Sequence, residues 1–300
     1  MLHIVHAPAF IALIILIVIC GIAVITIGIM AGGELCRPAQ RSVGSPPADL
    51  PVETFTLQSP PNETSELVVS GWLIRGAPGM GVVLLLHGLR NDRRQMLDRV
   101  RFLVRAGYSV MLIDLPAHGE SSGEYITFGY REAEGVEAAM PNLVESFPHE
   151  KIAVIGVSLG AASLVLSKAS PAPSAVVLES MYPTIEEAIA RRLQKRLGPL
   201  GSLLTPLFLW QLPIRLGVTA DRLRPITNLA ALHSPVFIMS GSEDQHPTVA
   251  ETQCLFQSAN PPKELWIVEG AAHINLHAHN PKEYEARVSA FLQKYLRDGG

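Results

Sequence analysis

This 300-residue sequence is short of cysteine, of charge and of aromatic side chains. Cys20, Cys36 and Cys254 are its only three cysteines. Thiols so far apart give neither a disulfide framework nor the close spacing of metal ligands. Charged residues make up 17% of the chain and the formal net charge is -3. No run of Lys and Arg is present to neutralise phosphates, so nucleic acid is excluded as a partner. There is no internal repeat, and neither a cofactor nor a metal is expected. Small molecules, lipids and proteins stay open as partners.

Charge is also missing locally. From Ala7 to Gly33 no residue is charged, and most are Ile, Val, Leu, Ala or Gly. About 20 apolar residues cross a bilayer, so the segment is long enough. It has no polar face, which argues against a buried core helix. A cleaved signal peptide would have a basic start and an apolar run of about 7–15 residues. "MLHIVH" has no Lys or Arg and the run is longer, so the reading is a single-pass anchor over 7–33, with a signal peptide as the rival. Arg37 and Arg41 follow the segment and no basic residue precedes it. The positive-inside rule then places the rest of the chain on the cytoplasmic side. A sequon, Asn62-Glu63-Thr64, has meaning only if that side is lumenal in a eukaryote.

Residues 34–51, rich in Pro, Ser and Ala, read as an extended linker holding a domain off the bilayer. A domain over 52–300 follows. "VETFTLQS" and "ELVVSGWLIRG" read as two strands joined by the turn "PPNETS". "GVVLLLH", "YSVMLID", "KIAVIGV", "SAVVLES", "PVFIMSG" and "KELWIVEG" are short, continuously apolar runs, the pattern of strands buried on both faces of a parallel sheet. Helical patterns separate them: Met96, Leu97, Val100, Leu103 and Val104 share one face, and Val288, Phe291, Leu292 and Tyr295 another. Pro141 should kink or split the helix expected around "GYREAEGVEAAMPNLVESF". The alternation predicts a mostly parallel sheet covered on both faces. Met181–Ile226 interrupts it, with helical and Pro-broken parts and no strand. This stretch is expected to be a helical cap over the sheet's end.

Two G-x-S-x-G patterns occur, at Gly119–Gly123 and Gly156–Gly160. Ser121 of the first lies in a Gly-rich loop, where a serine satisfies backbone groups. Ser158 of the second sits between a strand and a helix. That tight turn needs small flanking residues and pushes the hydroxyl out at the sheet's end. A neutral serine needs a base, and the base an orienting carboxylate, in the chain order Ser, Asp, His. Asp244 follows the fifth buried strand and His273 the sixth, so both reach the same carboxyl edge as Ser158. A plain turn aspartate and a plain loop histidine are the bland alternatives. Glu243 should point elsewhere, and His246 is too close to Asp244 in sequence to be its partner. His277 and His279 suit solvated or capping roles better than a metal. Oxyanion donors are expected from the backbone N–H groups of Leu159, next to the nucleophile, and Leu89, in the loop after the first buried strand. His87 should order that loop.

"HGL" at His87–Leu89, "DLPAHGESSG" at Asp114–Gly123, "GVSLG" at Gly156–Gly160, "SGSED" at Ser240–Asp244 and "GAAH" at Gly270–His273 together resemble the α/β-hydrolase superfamily. The likeness is greatest to its membrane-anchored and serine-aminopeptidase-like branches, over about residues 53–296. It implies the α/β-hydrolase fold, a noncatalytic serine at Ser121 and a variable helical cap that sets substrate choice. The family commonly has D-x-R-G-H-G where this chain has Pro116 and Ala117 in place of Arg-Gly. The expected function is a membrane-anchored serine hydrolase that cleaves an ester or thioester of an acyl or lipid-like small molecule. A peptidase and a noncatalytic binding protein of the same fold are the alternatives.

Overall fold

A computed structural model describes residues 7–58, 67–273 and 275–297. The sequon lies outside them. In chain order the elements are α1 (Ala7–Cys36), β1 (Ala39–Gln40), β2 (Glu53–Gln58), β3 (Val68–Ile74), β4 (Val82–Leu86), α2 (Leu97–Arg105), β5 (Ser109–Ile113), β6 (His118–Gly119), α3 (Glu132–Ser146), β7 (Ile152–Val157), α4 (Leu159–Leu166), β8 (Ala175–Glu179), α5 (Ile185–Leu197), α6 (Thr205–Leu216), α7 (Pro225–Leu229), β9 (Val236–Gly241), α8 (Val249–Ser258), β10 (Lys263–Val268), α9 (Leu276–His279) and α10 (Pro281–Leu296).

Eight strands form one sheet in the order β2-β3-β5-β4-β7-β8-β9-β10. The six from β5 to β10 are parallel, and β3 pairs antiparallel with both β2 and β5. Burial on both faces explains the apolar runs of β4, β5, β7, β8 and β9, whereas "KELWIVEG" forms β10 at the edge of the sheet and is only half-buried there. Leu84 and Leu86 of β4 face a layer containing Val136 of α3, Leu164 of α4 and Leu255 of α8. Val83 and Leu85 face Val100 and Leu103 of α2 and Val288 and Leu292 of α10. From β4 the chain winds outward to β5, then crosses back to β7 and winds the other way. The carboxyl ends of β4 and β7 therefore flank the switch point at which open α/β sheets leave a crevice.

Three expectations need adjusting. First, α3 is one helix with Pro141 inside it and is not split. Its apolar face, including Val136, Met140 and Leu143, is buried across the proline, and that packing outweighs one lost hydrogen bond. Second, α1 runs on to Cys36. Third, the segment after it is not a free spacer. β1 pairs in parallel with β6, and Val43 is buried with its N–H donating to Glu120 Oε1 at 3.0 Å. Arg41 pairs with the buried Asp92 at 2.8 Å. The prolines and small residues keep this chain extended, and in that form it lies along the domain.

Between β8 and β9 the described chain contains α5, α6, α7 and short 3₁₀ turns but no strand. α6 packs on the end of α1. A Cβ on Gly28 would touch Leu207, one on Gly32 would touch Gln211, and one on Gly33 would meet Arg215. The two helices therefore run side by side in the same direction. Gln211 Nε2 donates to Gly28 O, and Arg215 Nη2 donates to Ile29 O at 2.7 Å. Before Gly28, α1 is exposed from Phe10 onward.

Candidate active site

Ser158 stands between β7 and α4 with φ 51° and ψ -105°, a conformation that bulky neighbours would not permit. The reason is close packing. A Cβ on Gly156 would come within 2.6 Å of Ala161 N, and one on Gly160 within 2.5 Å of Leu86 O. Ser158 N donates to Glu179 O at 2.7 Å, which extends the β7–β8 ladder up to the elbow. Leu159 then opens α4, where first-turn N–H groups have no carbonyl of their own helix to meet. The dipole of α4 favours negative charge at this end.

Asp244 lies in the turn after β9, fixed by Ser242 N donating to Val268 O and Glu243 N to Ala271 O, each at 2.9 Å. Its side chain is fully buried, whereas Glu243 is exposed. Asp244 Oδ1 accepts from His246 N at 2.6 Å and Oδ2 lies 2.9 Å from His273 Nδ1. A carboxylate there keeps the proton on Nδ1 and leaves Nε2 as the basic nitrogen. The His273 side chain is one-third exposed, at 34%.

Leu89 follows β4 and is half-buried. Its loop is held from both sides: Gly88 N donates to Gln95 Oε1 at 2.7 Å, and His87 Nε2 accepts from Leu115 N at 3.0 Å. His87 is fully buried. Burial, with His118 beside it, pushes its pKa down to about 3, so it is neutral and cannot serve as a base near neutral pH. Ser121 is buried, donating to Asp114 O at 2.6 Å and accepting from Ser70 N at 2.9 Å. Its hydroxyl is thus committed to the loop backbone.

Other residues of the site gave no motif in the sequence. His246 borders the same crevice as Ser158, together with Tyr182, Arg192 and Pro247. Its ring centre is 6.4 Å from that of His273, and burial, then the Arg192 charge, lowers its pKa to about 4. Arg99 is wholly buried and pairs with Glu179 through two hydrogen bonds, and it also reaches Tyr284 and Asn275. This ties the end of β8 to the loop bearing His273. Adjacency in sequence could not reveal it, because Arg99 and Glu179 are 80 residues apart. His277 is not solvated. It stacks on Phe102 and pairs with Glu285 at 3.0 Å, while His279 Nε2 lies 3.1 Å from Glu269 O. Among the described residues no group of three or more His, Cys, Asp or Glu could hold a metal.

The space over Ser158 is only about 10 Å³, room for about one water. Behind Arg192 lies a second cavity of about 660 Å³, walled by α1, α5, α6 and Leu89.

The family model described as the alpha/beta hydrolase family matches residues 83–287. An uncharacterized protein of Bacillus subtilis is 22% identical over 228 residues, covering 75% of each chain. An uncharacterized protein of Mycobacterium tuberculosis is 26% identical over 223 residues, 73% of this chain and 71% of that one. Among solved structures, the Pyrococcus furiosus esterase Pf2001 superposes with a TM-score of 0.71 at 26% identity, covering 87% of this chain and 98% of that one. The elbow, the parallel sheet and the matched span agree: the chain belongs to the alpha/beta hydrolase family.

Proposed function

We propose that this protein is a membrane-tethered serine hydrolase of the esterase type, acting on an acyl ester or thioester. The carrying observation is the pairing of His273 Nδ1 with the buried Asp244 at the sheet edge where Ser158 projects from its strained elbow. Ser158 Oγ attacks the acyl carbonyl and His273 Nε2 takes its proton. The N–H groups of Leu89 and Leu159 hold the oxyanion. The alcohol or thiol departs with the proton from His273. Water, deprotonated by the same nitrogen, then cleaves the acyl-enzyme and restores Ser158. The likeness to an esterase supports ester chemistry. Within α1 the stretch Phe10–Cys36, 27 residues, is long and apolar enough to cross a membrane, which supports the tether over 7–33. Helices α5–α7 form the cap of a domain that begins near residue 52. Arg37 and Arg41 follow directly on the domain end of α1, which supports a cytoplasmic domain.

A fluorophosphonate probe tests this reading. The native protein and Ser121→Ala should label, and Ser158→Ala should not, with ester turnover falling at least about 10⁴-fold in Ser158→Ala. Equal labelling of Ser158→Ala would overturn the assignment.

A further inference from the structure

We infer that the 660 Å³ cavity is an acyl-chain site filled sideways from the bilayer, with α1 as one of its walls; this rests on the esterase reading above. Three observations lead there. The first is position. Leu89 belongs both to the oxyanion loop and to the cavity wall, and Arg192 borders both the cavity and the Ser158 crevice. A carbonyl held at Ser158 thus has one large space next to it for its chain.

The second is chemistry. Most of the wall surface is apolar, with Ala31 from α1, Leu193 from α5 and Phe208 from α6, while Glu34, Arg90, Arg192, Arg196 and Arg215 supply its charged parts. Its volume lies within the roughly 300–1,000 Å³ of small-molecule sites. A long acyl chain matches such a lining better than a polar substrate does.

The third is placement. Outside α1, the exposed large apolar side chains concentrate in the cap: Leu197, Leu200, Leu203, Trp210 and Ile214 are 58–75% exposed. Because α6 runs parallel to α1, the start of α6 and the turn before it point towards the free apolar stretch of α1. Phe10–Ile27 is about 27 Å long at 1.5 Å per residue, close to the ~30 Å of hydrocarbon in a bilayer. Leu200 and Leu203 then dip into the membrane. The exposed Lys195 and Arg196, one turn back on α5, lie at the level of the headgroups. An exposed apolar patch continuous with a spanning helix fits a lipid surface better than water.

The experiment uses the full chain in vesicles of phosphatidylethanolamine and phosphatidylglycerol. Ala31→Trp and Leu193→Trp, which fill the cavity from opposite walls, are compared with the native protein on C4 and C16 acyl thioesters. The ratio of C16 to C4 kcat/KM should fall at least about 10-fold in both, the worth of roughly two buried methylenes. An unchanged ratio would overturn the inference. A diazirine-bearing palmitate gives a readout independent of turnover. Crosslinks to Ile189, Leu193 or Phe208 that disappear in Ala31→Trp are expected. Crosslinks confined to Phe10–Ile22 would also overturn it. Loss of fluorophosphonate labelling in the native protein, with cavity crosslinks retained, would sink the esterase reading and leave the acyl site standing.

Discussion

At the scale of single residues, the site depends on which hydrogen bonds are already committed. Asp244 is buried with both oxygens engaged, one by the turn and one by His273, an arrangement suited to the orienting role proposed for it. Asp244→Asn should keep the fold but present the wrong tautomer, lowering kcat by about 10⁴-fold with KM little changed. Steady-state kinetics on a short ester would check this; a change in KM alone would mean that Asp244 serves binding. The two serines show how far residue-level reading reaches. Both match one pattern, and the strand–turn–helix context separates them in the sequence alone. The structure supplies the physical counterpart, a saturated hydroxyl at Ser121 and a strained elbow at Ser158. His246 and Arg192 gave no such signal, because only the packing of the cap and the Asp244 loop brings them to the crevice.

At the scale of elements, the buried strands were the most legible feature. Continuous apolar runs of five or six residues leave few other interpretations. The linker was the least legible. A Pro-rich extended segment looks alike whether it is solvated or laid on a surface, and β1 pairs with β6 through backbone groups that carry no residue signature. The same holds for Arg99, which connects three elements through partners distant in sequence. Arg99→Met would leave Glu179 buried without its counter-charge, still accepting from Tyr284 Oη at 2.6 Å, at a cost of about 3–5 kcal/mol. Urea denaturation would read this, and a loss below ~1 kcal/mol would show that the pair is not a brace. The cap offers its own probe, because Trp72 and Trp266 are buried whereas Trp210 is exposed. In vesicles of brominated lipid, native fluorescence should be quenched, and Trp210→Phe should remove most of the quenching. Equal quenching in both proteins would place the cap away from the membrane.

At the scale of the whole molecule, the buried neutral histidines make stability depend on acid. The ordinary pKa of His87 is 6.5, and in the fold it is about 3. Between those values the unfolded chain holds a proton that the folded chain rejects. The stability contributed by the neutral ring is therefore complete above pH 6.5 and is lost as pH falls towards 3, at about 1.4 kcal/mol per unit. Melting temperature should drop steadily over that window, and His87→Gln should flatten the slope. Parallel slopes in the two proteins would point to the carboxylates instead.

With α1 spanning a bilayer as proposed, the fastening of residues 39–43 to the domain bears on a different variable, the thickness of that membrane. With β1 paired and Arg41 bound to Asp92, only Arg37 and Pro38 separate α1 from the anchored chain. A tethered domain with slack would be indifferent to the lipid beneath it. Here a thicker bilayer must tilt α1 or pull on its contact with α6, and a thinner one must expose its apolar end. In the proposed orientation, chain length in the surrounding lipid thus becomes a mechanical input to the cap, and catalytic rate becomes a gauge of the membrane in which the enzyme sits.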